Sequence, residues 1–350
     1  MQALQKMTAE PGLGLREVPP PARPGPGEVI LAVEAAGICG TDVHIAEWTP
    51  GYEAMAAAMP VTLGHEFAGT VVAAGPDVAA PGVGSLVVVR PSVVCGRCDA
   101  CRSGDTDNCR SRRGIGIMRD GGFAPLVRVP AENCLPVPAG LDAEIAALTE
   151  PMTVSAEAVD TGEVRPGDRV LVLGPGSIGQ GIALFAEAAG ASEVVIAGHD
   201  DGPRLATLGD LGFTGTVDGV GRTLAEALAP HLAAGKFDVV IEATGVPGVI
   251  QPCLDVLRKR GVLVVCGIHP RPAGIDLTRL VREHQQIRGS YRSPLATWSR
   301  VLAYLADHAE RVRPMISHRV PLPDVLAGFD LARSKAASKV VVLPQAQAQA

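Results

Sequence analysis

Aromatic side chains are scarce. Phenylalanine, tyrosine and tryptophan together make up 3% of the 350 residues. Alanine, valine, leucine and glycine must therefore do most of the packing, as is usual where helices cover a parallel sheet. Lysines form no cluster and the net charge is −6 at pH 7, which excludes a general nucleic-acid binder. No apolar run reaches the ~20 residues of a membrane span, and no charged n-region with a short apolar h-region opens the chain. A soluble, cytoplasmic protein is expected, without nucleic-acid or membrane partners. Charged residues are only 19% against 47% hydrophobic, so a globular core is supported and disorder is not. The length suits two domains.

Cysteine is sparse too, eight in all, yet Cys95, Cys98, Cys101 and Cys109 fall within fifteen positions. Disulfides are disfavoured in a reducing compartment. A redox pair uses two cysteines and leaves two unexplained. Thiolates two residues apart can turn toward one tetrahedral centre, and the intervening Gly96, Arg97, Asp99, Arg102, Gly104 and Asp105 suit tight turns. Four protein ligands leave no open position for substrate. The loop is therefore predicted to hold a structural zinc, and the chemistry must lie elsewhere.

The first 90 residues look β-rich: "EVILAVEAAGICG" and "GHEFAGTVVAAG" mix short apolar strands with glycine turns, and "PPPARPGPGE" reads as a proline-rich surface loop. From about residue 165 strands and helices alternate. "RVLVL", "EVVIAG", "FDVVIEATG" and "GVLVVCGIH" read as strands. "SIGQGIALFAEAAG", "PRLATLGDLGF" and "PGVIQPCLDVLRKRG" read as helices. This rhythm predicts a doubly wound parallel sheet. Later, "TWSRVLAYLADHAERV" reads as helical and "KVVVL" as a last strand. The tail "PQAQAQA" is low-complexity and expected to fray.

Gly174, Pro175, Gly176, Ser177, Ile178 and Gly179 fit G-x-G-x-x-G between a predicted strand and a predicted helix. In that setting the first glycine allows the tight turn, the second a close approach of backbone to pyrophosphate, and the third close helix–strand packing. The helix N-terminus adds free N–H groups and a positive dipole end. A glycine-rich turn without ligand is the plainer alternative.

Elsewhere stand "GICGTDVH" with Cys39, "LGHEFAG" with His65 and Glu66, and "LTEP" with Glu150. No local spacing joins them, and a lone buried cysteine is usually a small hydrophobe. In combination, however, "CGTDVH", "GHEFAGTVVAAG", the four-cysteine loop and "GPGSIG" resemble the zinc-dependent medium-chain alcohol dehydrogenases over nearly the whole chain. "CGTDVHIAEW" and "MISHRVPLPDVLAGFDLARS" are similar to the threonine dehydrogenases of that family, and "TEPMTVSAEAV" to its polyol dehydrogenases.

The resemblance implies an α/β fold: a GroES-like β-rich catalytic domain over 1–155, an inserted Rossmann domain over 156–290, and a return over 291–350. It implies a catalytic zinc held by Cys39 and His65 with Glu66 or Glu150, and a structural zinc at the cysteine loop, two per chain. Asp42 matches the residue that holds the zinc histidine's other ring nitrogen; an Asx-turn after Cys39 is its plainer reading. Thr41 matches a hydroxyl bridging substrate and cofactor ribose, and His44 a proton carrier to solvent. The cofactor is NAD or NADP, with Thr244 and Ile268 among its expected contacts. NAD-using relatives commonly have aspartate where Gly198 ends its strand. Without it, His199 or Arg204 could face a 2′-phosphate; alternatively Asp200 or Asp201 meets the ribose. The remaining histidines receive no role.

The implied reaction moves a hydride from a secondary alcohol to NAD(P). Threonine dehydrogenases commonly carry histidine three residues before the cysteine loop, where this chain has Ser92, so a polyol, cyclitol or sugar alcohol is favoured over threonine. A zinc-free reductase would lack Cys39 and the four cysteines. A non-catalytic zinc and nucleotide-binding protein would show no alcohol-dependent reduction of NAD(P). The stretch "GVLVVCGIHPRPAGIDL" leads from the last regular Rossmann strand into exposed apolar residues, and relatives associate there, so a homodimer or homotetramer is expected.

Overall fold

The structure is a computed structural model and describes residues 1–345. From residue 346 on, the expected fraying of the tail lies outside the described residues. No described helix is long and apolar enough to cross a membrane.

Six strands form an all-parallel sheet: Arg169–Leu173, Glu193–Gly198, Thr216–Asp218, Phe237–Glu242, Leu257–Val265 and Gln286–Gly289. Numbered along the chain, they lie in the order 3-2-1-4-5-6. The order reverses between Arg169–Leu173 and Phe237–Glu242, and ligands of such sheets bind outside the strand ends at that switch. Val170 and Val172 pack on one face while Leu171 and Leu173 pack on the other. Near-continuous apolar strands follow from burial on both faces.

A second, seven-stranded sheet is mostly antiparallel, and Glu28–Gly37 and Glu66–Ala74 pair at its centre. The C-terminal strand Lys339–Leu343 pairs with Glu28–Gly37, Val341 opposite Gly37. The chain end is thereby built into the sheet that carries Glu66. Helix Thr149–Gly162 packs against helix Ser177–Ala188. A Cβ on Gly181 would stand 2.5 Å from Ser155 Oγ, so this approach requires glycine.

Two local expectations differ from the structure, and one short strand was not expected. The helix expected to run through Arg260 covers only Ile250–Val256. The Leu254 carbonyl in its last turn and the Leu257 carbonyl just beyond it accept 2.9 Å bonds from the buried Gln285 amide, a partner 28 or more residues away. The strand Thr216–Asp218 is too short to show a period. "GVLVVCGIH" is not the last strand of its sheet, because Gln286–Gly289 forms the edge.

Candidate active site

The four-cysteine loop brings all four sulfurs within 4.8 Å of one another. Cys95 and Cys101 Sγ are 3.9 Å apart, far beyond a ~2.05 Å disulfide bond. Sulfurs each ~2.3 Å from a zinc at the centre of a tetrahedron would be about 3.8 Å apart. The donor set thus fits zinc in chemistry and in size. Backbone N–H groups of Cys101 and Arg110 hold the Cys98 thiol down at about 6. The Cys95 N–H lies 3.3 Å from Cys109 Sγ and lowers that thiol too. Thiolate is the ligand form, and the turn favours it at two of the four positions.

Cys39, His65 and Glu66 form a second cluster, their donor atoms also within 4.8 Å of one another. Cys39 caps the N-terminus of helix Gly40–Glu47, and its N–H donates to Asp42 Oδ2 at 2.9 Å. Asp42 Oδ1 lies 3.4 Å from His65 Nδ1. The buried Asp42 therefore both closes the turn and faces the imidazole. Burial favours neutral His65, but Asp42 and Cys39 outweigh it and hold its pKa well above the ordinary value. Glu66 Oε2 accepts from Lys339 Nζ at 2.6 Å, while Oε1 is buried without a partner. A thiol, an imidazole and an orphaned carboxylate oxygen are what a zinc ion with a replaceable ligand would use.

This cluster opens on a cavity of about 720 Å³, lined by Cys39, Thr41, His44, His65 and Glu150. Glu66 lies behind it, paired with Lys339. Glu150 stands outside the three-residue cluster, and burial pushes its carboxyl up to about 7, with His65 pulling the other way. Thr41 and His44 share one face of their helix at i, i+3 spacing. Thr41 is half-buried and His44 exposed, so the pair runs from the cavity toward solvent.

The glycine loop sits at the sheet's switch point. Gly174 has φ +101°, and a Cβ on Gly179 would stand 1.8 Å from the Gly174 carbonyl oxygen. Nothing lies within 4 Å of a Cβ placed on Gly176, and no side chain caps the helix that begins at Ser177. That open cradle of N–H groups fits a pyrophosphate. Gln180 braces the loop by donating to the Pro175 carbonyl at 3.0 Å. Of this loop, Ile178 reaches the cavity, as do Thr244 and Ile268 across the switch.

Beyond the strand end at Gly198, Asp201 is buried and turned inward. Its carboxylate accepts from His199 N–H at 3.0 Å and lies 3.5 Å from Arg204 and 3.6 Å from Lys335. Arg204 also donates to the carbonyls of Ala337 and Ala332. Both side chains tie the helix Gly202–Asp210 to the C-terminal segment. His199 and Asp200 are exposed.

The chain matches the alcohol dehydrogenase GroES-like domain over residues 25–139 and the zinc-binding dehydrogenase family over residues 177–307. It is 34% identical over 344 residues to the L-threonine 3-dehydrogenase of Mesorhizobium japonicum, which covers 98% of each chain. It belongs to the zinc-dependent medium-chain alcohol dehydrogenases. A chain from Sinorhizobium meliloti 1021, assigned as a zinc-binding dehydrogenase and bound to NADP, superposes with TM-score 0.87 at 31% identity, covering 98% of this chain and 99% of that one. Galactitol-1-phosphate dehydrogenase from Escherichia coli superposes with TM-score 0.85 at 25% identity, covering 98% and 100%. This medium-chain dehydrogenase is an NAD(P)-dependent oxidoreductase of a small-molecule alcohol.

Several residues around the dehydrogenase cleft escaped the sequence. Lys339 reads there as the first residue of a strand. Tyr52 lines the cavity; burial pushes its phenol up and the neighbouring Thr41 hydroxyl pulls it back. Buried Glu242 accepts from the Thr244 N–H and hydroxyl, each at 2.5 Å, and stands 3.0 Å from His269 Nε2. The only local hint was "EATG" at a strand end.

Proposed function

We propose that this enzyme oxidises a secondary alcohol of the polyol, cyclitol or sugar-alcohol class to the ketone, at the cavity where Cys39, His65 and Glu150 meet Thr41 and His44. That convergence of separate segments on one cleft supports the reading most strongly. When bound, zinc would supply Lewis acidity toward the substrate hydroxyl and the dinucleotide would accept the hydride. Cys39 and His65 would hold the metal, with Glu66 Oε1 or Glu150 as further ligand. Asp42 orients His65. Lys339 neutralises Glu66. The Thr41 hydroxyl accepts the alcohol proton while giving up its own, and His44 delivers it to solvent. The four-cysteine loop would carry the second zinc.

The domain boundaries implied above, 1–155, 156–290 and 291–350, belong to this proposal. So does tolerance of NADP. Asp201 is buried beside Gly198, but Arg204 and Lys335 balance its charge and its carboxylate is turned to the His199 N–H, so it is not free to accept from the ribose or to repel a 2′-phosphate. The exposed Ile287 on the sheet's edge strand, with Leu277 and Val281 nearby in sequence, supports a homodimer or homotetramer. A cytoplasmic location belongs to the same reading, because a reducing compartment keeps the four clustered cysteines available to a metal. The similarity to an L-threonine 3-dehydrogenase keeps threonine as the second substrate reading. Against it, Ser92 stands where those enzymes commonly have histidine, and its hydroxyl accepts from Arg112. A panel of secondary alcohols and threonine, assayed with NAD and with NADP, tests the proposal. Turnover of none of them by protein carrying two zincs per chain would refute it.

A further inference from the structure

The cleft is basic although the whole chain carries a net charge of −6. Arg90, Arg112 and Arg292 line it, against a single carboxylate, Glu150. The three guanidinium groups are not equivalent. Arg112 is engaged: it donates to Ser92 Oγ and the Thr106 carbonyl, and lies 3.5 Å from Asp107. Thr106 and Asp107 belong to the four-cysteine loop, so that loop braces this wall. Arg292 stacks on Tyr291 at 4.6 Å and donates to its hydroxyl at 3.4 Å, both exposed.

Arg90 differs. Its N–H donates to the Asn133 carbonyl at 2.8 Å, and its own carbonyl accepts from Asn133 Nδ2 at 2.7 Å. The backbone is thus fixed, yet its guanidinium has no hydrogen-bond or ion-pair partner among the described residues. The charged groups facing it are Arg112, Asp107 and Arg292. Burial first, then Arg112, lowers its pKa. A partly desolvated cation among cations, whose one anionic neighbour already serves Arg112, is unfavourable until an anion joins it. Elsewhere on the cavity wall another polar group also lacks a partner. Ser290 lines the cavity, is 7% exposed, and its Oγ has no partner. Of the glycine loop only Ile178 lines this cavity, so the pyrophosphate cradle is a separate place.

We propose that Arg90, with Arg292, forms an anion subsite, and that the substrate is a secondary alcohol bearing a phosphate or carboxylate group. The proposal rests on the dehydrogenase reading above: its phosphate form narrows the polyol class, and its carboxylate form extends it to hydroxy acids, threonine among them. A guanidinium presents donors in a planar fork that matches either oxyanion. The anion sets the register of the substrate, so that one hydroxyl stands at Cys39 and His65.

The test compares kcat/KM for a neutral polyol, its phosphate monoester and the corresponding aldonate, in wild type, Arg90→Ala and Arg90→Lys. The wild type should prefer one anionic form by roughly tenfold or more, and which form wins separates phosphate from carboxylate. Arg90→Ala should lower kcat/KM for that form ten- to hundredfold more than for the neutral polyol, with partial rescue in Arg90→Lys. A wild type that favours neither anionic form, or an Arg90→Ala loss equal on all substrates, overturns the subsite. If the wild type oxidises no alcohol, the dehydrogenase reading fails separately. Calorimetric titration with inorganic phosphate and with acetate, at saturating NADP, then decides. Binding lost in Arg90→Ala supports the subsite, and binding absent from wild type or equal in both proteins overturns it.

Discussion

Lys339 Nζ lies 2.6 Å from Glu66 Oε2, and both side chains are at least 98% buried. The pair joins residues 273 apart in sequence. It engages Oε2 and leaves Oε1 buried without a partner. Burial lowers the Lys339 pKa, but Glu66 and then Cys39 outweigh it and raise it. Removing one partner leaves a buried charge alone, which typically costs ~3–5 kcal/mol. Lys339→Met should therefore lower thermal stability strongly, and adding Glu66→Gln should restore much of the loss. Denaturant unfolding of the two variants checks this. Equal stability of Lys339→Met and wild type would show the pair to be dispensable.

Both cysteine clusters predict zinc, with different consequences. Elemental analysis of purified protein should give two zincs per chain. Cys109→Ser should impair folding or assembly, since a structural zinc contributes folding free energy directly. Cys39→Ser should keep the fold and abolish turnover. Normal activity in Cys39→Ser would remove this cluster from the chemistry.

His44 sits exposed at the mouth of the cleft, one helical turn from Thr41. His44→Ala should slow alcohol oxidation by ~10²–10⁴ where proton release limits the rate. The loss should shrink at high pH, where hydroxide takes the proton directly. An unchanged pH–rate profile would exclude His44 from the proton path.

Gly198 tests the cofactor assignment. Gly198→Asp should shift the kcat/KM ratio toward NAD, chiefly by weakening NADP through charge repulsion. The new Cβ would meet Pro175 Cγ at 3.0 Å and Asp201 Cβ at 3.1 Å, so a modest drop in melting temperature should accompany the shift. An unchanged ratio would move the specificity residue to His199 or Lys335.

The locally encoded features could be read without a fold. Thiolates at Cys95, Cys98 and Cys101 reach one centre because two-residue spacing lets a turn bring them together. Gly174 and Gly179 announced a dinucleotide loop because the strand and helix flanking them are short-range structures. The pairing of Lys339 with Glu66 depended instead on the register of the C-terminal strand against Glu28–Gly37. The helix end at Val256 depended on Gln285, and the inward turn of Asp201 on Arg204 and Lys335. The isolation of Arg90 emerged only once Asn133 had fixed its backbone and Arg112 had taken Asp107. Side-chain partners far apart in sequence are selected by chain closure and burial, and no local pattern records who is left without one.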